Sequence, residues 1–250
     1  MLRSLLLMLV CGLTLVPPGT AQDTGRSLLS AARKQAASAR GKTGEERKQA
    51  LEESLRILRL VPERFPEETA AVARAWLEIG RTERRLSRPE AALKALETAC
   101  SFEGEERTIC MALHDLATLH KKARRFERAR EALRRIIDDH PAQAMARARA
   151  LVRLASLHRA ARETKEAEEL LRQCLKEHGD LWRQSIDALD ALAALKLRAG
   201  RLEEARTLLE THGAAIKARF QGTKHENRVD AALGRMKSRA RLEKKKDGGR

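Results

Sequence analysis

The 250-residue sequence is poor in the residues that build β-sheets. It contains no tyrosine, two tryptophans, four phenylalanines and one asparagine. Strands need β-branched and aromatic side chains, so this scarcity excludes the enzymes that are built on sheets. Alanine and leucine supply most of the apolar content, and charged residues make up 34% of the chain. This composition predicts an all-α protein.

The first 21 residues have the features of a secretory signal peptide. A short basic start precedes an apolar run from Ser4 to Val16, and small residues occupy the −3 and −1 positions of a cut after Ala21. The run has 13 residues, and a membrane-spanning helix needs about 20, so cleavage is favoured over an uncleaved anchor. Lipidation at Cys11 is rejected because no small residue precedes it. We predict a periplasmic or otherwise exported protein whose mature chain begins at Gln22.

The rest of the chain repeats itself with a period of 37 to 38 residues. Four copies follow in register, and a blurred copy precedes them at residues 28–58. Small residues recur at two positions of each copy: Gly80, Ala117, Ala155 and Ala193, and then Ala92, Ala129, Ala167 and Ala205. Combined with helical spacing of the apolar residues, this period predicts stacked helical hairpins whose small residues set the packing distance.

This pattern resembles the tetratricopeptide repeat, whose template is W-x2-L-G-x2-Y, then A-x3-F, then proline. The best copy contains Trp76-x2-Ile79-Gly80 followed by Ala92, and the next copy ends at Pro141. The tyrosine of the template is replaced in the four copies by Glu83, His120, His158 and Lys196. The resemblance implies a right-handed αα-superhelix of about five to six helix hairpins. We divide the chain into a signal peptide at 1–21, a repeat domain at 22–240 and a basic, disordered tail at 241–250.

Motifs that carry chemistry are scarce. Gly41-Lys42-Thr43 matches the end of a phosphate-binding loop, but the earlier glycine and the preceding strand are missing, so it is interpreted as a helix-to-helix turn. The sequence lacks the short motifs of zinc proteases, paired-cysteine zinc sites and serine hydrolases. We predict a non-enzymatic protein with no catalytic residue, no metal and no cofactor.

Histidines and cysteines have structural explanations within the repeats. We expect His140, His178 and His212 to cap carbonyl groups at the ends of second helices, so a metal site is the less favoured interpretation. Cys100 and Cys110 are a disulfide candidate, since the solenoid brings the end of one helix to the start of the next in an oxidising compartment. Three free thiols are an equal alternative. We expect Cys174 to be a buried thiol.

Charge is unevenly distributed between the two helices of each repeat. The four expected first helices within 71–198 sum to +9, whereas the four expected second helices within 88–210 sum to −2. In solenoids of the family that the pattern resembles, first helices line the concave surface. The implied basic groove consists of Arg74, Arg81, Arg84, Arg85, His114, Lys121, Lys122, Arg149, Arg159 and Arg198. We expect four acidic residues on the outer side: Glu168, Glu169, Glu203 and Glu204.

These features predict an exported scaffold whose basic groove binds a protein partner with an acidic segment. The repeats are similar to those of exported bacterial envelope proteins, which implies a role in envelope assembly or cell-division coordination. An alternative is an electrostatic binder of an envelope polyanion: anionic lipid, lipopolysaccharide or a cell-wall polymer. A second alternative is that the surface has no binding role and is basic only because arginine side chains solvate the helix faces. We expect no membrane-spanning segment in the cleaved chain. We also expect no nucleic-acid partner, because export separates the protein from intracellular nucleic acids.

Overall fold

The computed structural model describes residues 24–247, with side chains described as far as residue 240. This part of the chain forms α-helices and contains no strand, which confirms the all-α prediction. The predicted signal peptide lies outside the described residues. The helices are α1 (Gly25–Ser38), α2 (Gly44–Arg64), α3 (Thr69–Arg85), α4 (Pro89–Ala99), α5 (Glu106–Lys122), α6 (Phe126–Asp139), α7 (Ala144–Ala160), α8 (Thr164–Glu177), α9 (Trp182–Arg198), α10 (Leu202–Phe220) and α11 (Glu226–Asp247).

Successive helices pair as hairpins that stack into a solenoid. Each odd-numbered helix packs against the even-numbered helix that follows it, and α11 covers α9 and α10 at the end of the stack. Each odd-numbered helix also contacts the next odd-numbered helix, whereas no two even-numbered helices of the described chain contact each other. Elements crowd together on the inner side of a curved stack. The odd-numbered helices therefore line the concave surface, as the sequence predicted for first helices.

Small residues set the distance between the two helices of a hairpin. A Cβ atom added to Gly80 of α3 would lie 2.6 Å from Cγ of Leu96 and 3.2 Å from the carbonyl oxygen of Ala92 on α4. The equivalent residues Ala117, Ala155 and Ala193 are all buried. Leucines at the Leu96 position are also buried in each repeat, at Leu133, Leu171 and Leu209. The predicted role of the small residues is confirmed.

The same backbone turn ends the first helix of four repeats. One residue in each turn has a positive φ of 58° to 71°, namely Ser87, Arg124, Arg162 and Gly200. The N–H of the following residue bonds back at 2.9–3.0 Å to the carbonyl of Glu83, His120, His158 and Lys196, respectively. Such left-handed caps usually hold glycine, yet three of these four positions carry a side chain. The recurring hydrogen bond therefore holds the turn even without glycine.

The position of the template tyrosine holds a buried polar side chain. Nζ of Lys196 on α9 lies 2.9 Å from Oε1 of Glu168 on α8 and 2.8 Å from Oε2 of Glu204 on α10. Glu83 on α3 contacts Arg59 of the preceding α2 at 3.2 Å. The pairs with Glu168 and Arg59 thus connect a repeat to its predecessor, whereas the pair with Glu204 lies within one hairpin. The expectation that Glu168 lies on the outer surface is wrong, because its carboxylate is buried against Lys196.

Histidines at the ends of second helices follow the prediction only in part. His140 and His178 are the residues that end α6 and α8, as expected. The ring of His140 contacts the carboxylate of Glu106 rather than helix carbonyls. His212 does not end a helix, because α10 continues to Phe220, which packs against α11. The last helix, α11, continues to Asp247, seven residues past residue 240, where the predicted repeat domain ends.

All three described cysteines are free thiols. Cys100 packs against the core cluster that contains Cys110. Burial raises the pKa of each of these two thiols to about 11, so both are protonated near neutral pH. The bond between Cys100 and Cys110 is not formed in this structure and stays a prediction for the oxidised chain. Cys174 is buried as expected, and its pKa is raised to about 12 by burial.

Replacing Lys196 with alanine should lower the free energy of unfolding by about 3 kcal/mol, because the Glu168 carboxylate then stays buried without its main cation. Arg172, 3.1 Å from Glu168, keeps the loss at the low end of the usual range. Changing both residues, Lys196→Met with Glu168→Leu, should recover most of the loss. Urea denaturation followed by circular dichroism measures both effects. A single variant as stable as the wild type would refute this account of the pair.

Candidate partner-binding surface

The first part of the concave surface, on α3 and α5, neutralises its own charge. Nε of Arg81 lies 2.7 Å from Oδ2 of Asp115, and Arg84 approaches the same carboxylate at 3.9 Å. Oε1 of Glu78 forms ion pairs with Nε of Arg74 at 3.3 Å and with Nη1 of Arg81 at 3.4 Å. Three arginines of the predicted groove are therefore on the concave surface but already paired. They contribute little free positive potential to a ligand.

Arg85, the fourth predicted groove residue, lies elsewhere. Its guanidinium donates a hydrogen bond of 3.0 Å to the carbonyl of Ala36, at the end of α1. Residues of α2 surround it on the edge of the solenoid where the turns lie, and Arg47 is one of them. Successive helical residues point about 100° apart, so Arg84 can lie on the concave strip while Arg85 does not. The placement of Arg85 in the groove is corrected accordingly.

His114 connects α5 to α7 rather than facing solvent as a groove cation. Its Nε2 lies 3.1 Å from the carbonyl oxygen of Ala146, and its Nδ1 is buried without a partner. Burial, and then the neighbouring charge of Arg153, lowers the pKa of His114 to about 4. The ring is therefore neutral at physiological pH. It positions two helices and contributes no charge to the surface.

A cationic section follows on α5, α7 and α9. In the described chain its basic side chains have no carboxylate within 4.0 Å, in contrast to those of α3. Its members are Lys121, Arg149, Arg153, Arg159 and Arg198. Lys122, also predicted in the groove, stands at the repeat position of Arg85 and lines neither cavity of this section. Arg153 was missed by the sequence analysis, although its place four residues after Arg149 puts both on one face of α7. Its guanidinium donates to Oγ1 of Thr118 at 3.2 Å, which fixes it above the α5–α7 groove.

Two adjacent cavities open in this cationic section. The one between α5 and α7 has a volume of about 240 Å³, a rim that includes Lys121 and Arg153, and a floor that includes the buried Leu133. The one between α7 and α9 has a volume of about 300 Å³ and is lined by Arg159 and Arg198. Ser156 lines both cavities, so they are neighbours along one strip. Cations around an apolar floor fit an acidic segment with an aliphatic anchor.

The second cavity also contains acidic side chains. Oδ1 of Asp190 lies 2.9 Å from Arg239 of α11, and burial raises the pKa of Asp187. The positive potential is therefore strongest on α5 and α7 and falls toward α9. No group of three or more His, Cys, Asp or Glu in the described residues is arranged to hold a metal ion. None of the described helices is long and apolar enough to cross a bilayer.

Two models of the tetratricopeptide repeat match the sequence, one at residues 111–142 and the other at 147–178. These ranges cover most of α5–α6 and α7–α8, the hairpins that carry the cationic section except Arg198 of α9. Both matched segments are tetratricopeptide repeats. The repeats of this family typically form non-enzymatic scaffolds for protein partners, which they bind on extended concave surfaces.

Solved structures of the same fold agree with this assignment. A tetratricopeptide repeat protein from Parabacteroides merdae ATCC 43184 is 16% identical, with a TM-score of 0.56 over 89% of this chain and 78% of that one. The TPR-like repeats of a putative kinesin light chain from Podosopora anserina are 20% identical, with a TM-score of 0.53 over 79% and 97%. MamA is 16% identical, with a TM-score of 0.52 over 78% and 97%. No curated protein matches the sequence. At these identities the likeness establishes the fold alone.

Acidification should destabilise the protein through His114. The unfolded chain takes up this proton near pH 6.5 and the native chain only near pH 4, so the contribution to stability is present above 6.5 and is lost as the pH falls between these values. The loss is at most about 3 kcal/mol. Urea denaturation at a series of pH values should show a flatter profile for His114→Gln. The exposed control His212→Gln should keep the wild-type profile, and an unchanged profile in His114→Gln would contradict the assignment.

Proposed function

We propose that this protein is an exported, non-enzymatic scaffold that holds an acidic segment of a protein partner in its cationic section. The observation that carries the proposal is the contrast along the concave surface. Arg81 and Arg84 on α3 are neutralised by Asp115, whereas Lys121 and Arg153 beside the α5–α7 cavity have no carboxylate partner in the described chain. Uncompensated charge beside a cavity is more typical of a binding surface than of a solvated face.

Two properties of the cationic section support an acidic peptide over a diffuse anion. The concave wall has a low dielectric, so it concentrates the field of Lys121 and Arg153 on whatever occupies the groove. The floor includes Ala117, Leu133 and Leu157, which an aliphatic side chain of the partner can cover. Burial of such an anchor supplies affinity, and the charges supply attraction and orientation. A polyanion would use only the attraction and orientation that the charges supply, and not the burial of an apolar anchor.

Export is supported by the signal-peptide features of residues 1–21 and places the scaffold in the cell envelope. There the similarity to exported envelope proteins favours a part in envelope assembly or in cell-division coordination.

Mass spectrometry of the protein recovered from the producing cell should give Gln22 as the first residue, because the signal peptide is cleaved after Ala21. A chain that starts at Met1 and sediments with the membrane would contradict export with cleavage.

Reversing two charges in the cationic section should reduce partner binding by about tenfold or more, through slower association and faster release. Lys121→Glu with Arg149→Glu makes this change at two exposed residues. Folding should change by within about 0.5 kcal/mol, as is usual for surface residues. The partner is captured from the envelope fraction with the mature chain as bait, and its affinity for each variant is then measured.

The matched control reverses two exposed charges on even-numbered helices, Arg134→Glu on α6 with Lys165→Glu on α8. This double variant has the same net charge and should bind within about twofold of the wild type. Equal losses in both double variants, or in neither, would show that the partner does not use the cationic section. A steep linear fall of log affinity with log salt, as counterion release requires, would favour the polyanion alternative.

A further inference from the structure

A second cationic cavity lies away from the concave surface, where the α1–α2 turn meets the α3–α4 turn. Its volume is about 230 Å³. The lining contains four cations and no carboxylate: Gly44, Arg47, Lys48, Leu51, Arg85, Leu86, Ser87 and Arg88. This edge cavity is separate from the cationic section, because it is formed by α2 and the end of α3.

Three arginines concentrate positive charge at the edge cavity. Arg85 is fixed in place by its hydrogen bond to the carbonyl of Ala36. Burial, and next the guanidinium groups of Arg47 and Arg40, lowers the pKa of Arg85, which shows how close these groups are. In the described chain no carboxylate lies within 4.0 Å of any of the three. Like charges held together without a counterion repel one another, so an anion bound among them would relieve that repulsion.

Two further cations of the lining are already paired. Arg88 contacts Glu52 and lies 3.5 Å from Glu83, and Lys48 lies 3.5 Å from Glu45. These ion pairs keep the carboxylates engaged at the periphery. The guanidinium groups of Arg47 and Arg85, the unpaired cations of the lining, are therefore the groups that a ligand would meet. Arg40 lies outside the lining and adds positive charge nearby.

The first two turns of α2 form one wall of the same cavity. Gly41 and Gly44 have φ values of 78° and 56°, so the Gly41-Lys42-Thr43 turn places the first residue of α2 in the lining. Thr43 precedes α2 but makes no side-chain hydrogen bond to its first turn, in contrast to Thr24 at the start of α1. That turn also carries Glu45 and Glu46. The lining residues of α2, at i, i+3, i+4 and i+7, place the cavity along the side of the helix rather than beyond its N-terminus.

We propose that the edge cavity binds the phosphate group of a phosphate-bearing anion. A guanidinium group pairs with two oxygens of one phosphate at once, so Arg47 and Arg85 can engage a phosphate from two sides of the cavity. The volume accommodates a phosphate and part of the group that carries it. A free phosphate and an anionic lipid headgroup share this chemistry. Neither Arg40, Arg47 nor Arg85 belongs to the cationic section, so this second site is independent of the proposed partner groove.

Titration calorimetry of the mature chain with inorganic phosphate tests the site. Flotation with vesicles of phosphatidylglycerol, against vesicles of phosphatidylcholine, tests the lipid source. Arg47→Gln with Arg85→Gln should weaken phosphate binding, or anionic-vesicle binding, by about tenfold or more. The groove variant Lys121→Gln with Arg149→Gln loses the same net charge and should stay within about twofold of the wild type.

The single variant Arg47→Gln keeps the test valid if loss of the Arg85 hydrogen bond unfolds the chain, since Arg47 is exposed. It should show the same direction of change. Phosphate binding with the expected variant response identifies a free phosphate site, and a response with vesicles alone identifies a headgroup site. Absence of saturable binding to both probes, or an equal loss in the groove variant, would overturn the proposal. Neither result bears on capture of the protein partner.

Discussion

Close contact between the two helices of each hairpin is the constraint on which the rest of the solenoid depends. The backbone of Gly80 lies directly against Leu96, and a methyl group at that position would not fit. Alanine at the same position in the next three repeats keeps their hairpins nearly as thin. Hairpins of uniform thickness stack in one register, which brings the odd-numbered helices into contact and creates a continuous concave surface.

The template tyrosine is replaced here by polar groups that differ from repeat to repeat. Glu83 uses Arg59 of the preceding helix, whereas Lys196 uses Glu168. His158 contacts Glu163, which also holds Arg130 of the preceding repeat at 3.0 Å. A buried charge is costly without its own partner. The junctions at Glu83, His158 and Lys196 therefore favour a neighbour that carries the complementary charge, and this opposes an exchange of hairpins. His120 makes no such ion pair among the described residues.

The repeat period, the hairpins and the small contact residues could be predicted because each depends on spacing within one copy. The site was harder, since its charges depend on partners in other copies. Asp115 pairs with arginines of the preceding first helix, and the carbonyls of Ala36 and Ala146 engage Arg85 and His114. Nothing in the local sequence around those residues indicates these contacts. The basic groove was predicted from the net charge of whole helices, and that sum does not distinguish cations that are paired with a carboxylate from cations that are not.

The division of the concave surface into a paired part and an unpaired part gives the groove a direction. The cations of α3 are paired with carboxylates, those of α5 and α7 in the cationic section are not, and Asp187 and Asp190 join the lining beside α9. An extended segment lying across these helices would encounter a different charge at each step. Its acidic residues would be drawn to the middle and its neutral or basic ends to the flanks, so the groove can distinguish one chain orientation from its reverse.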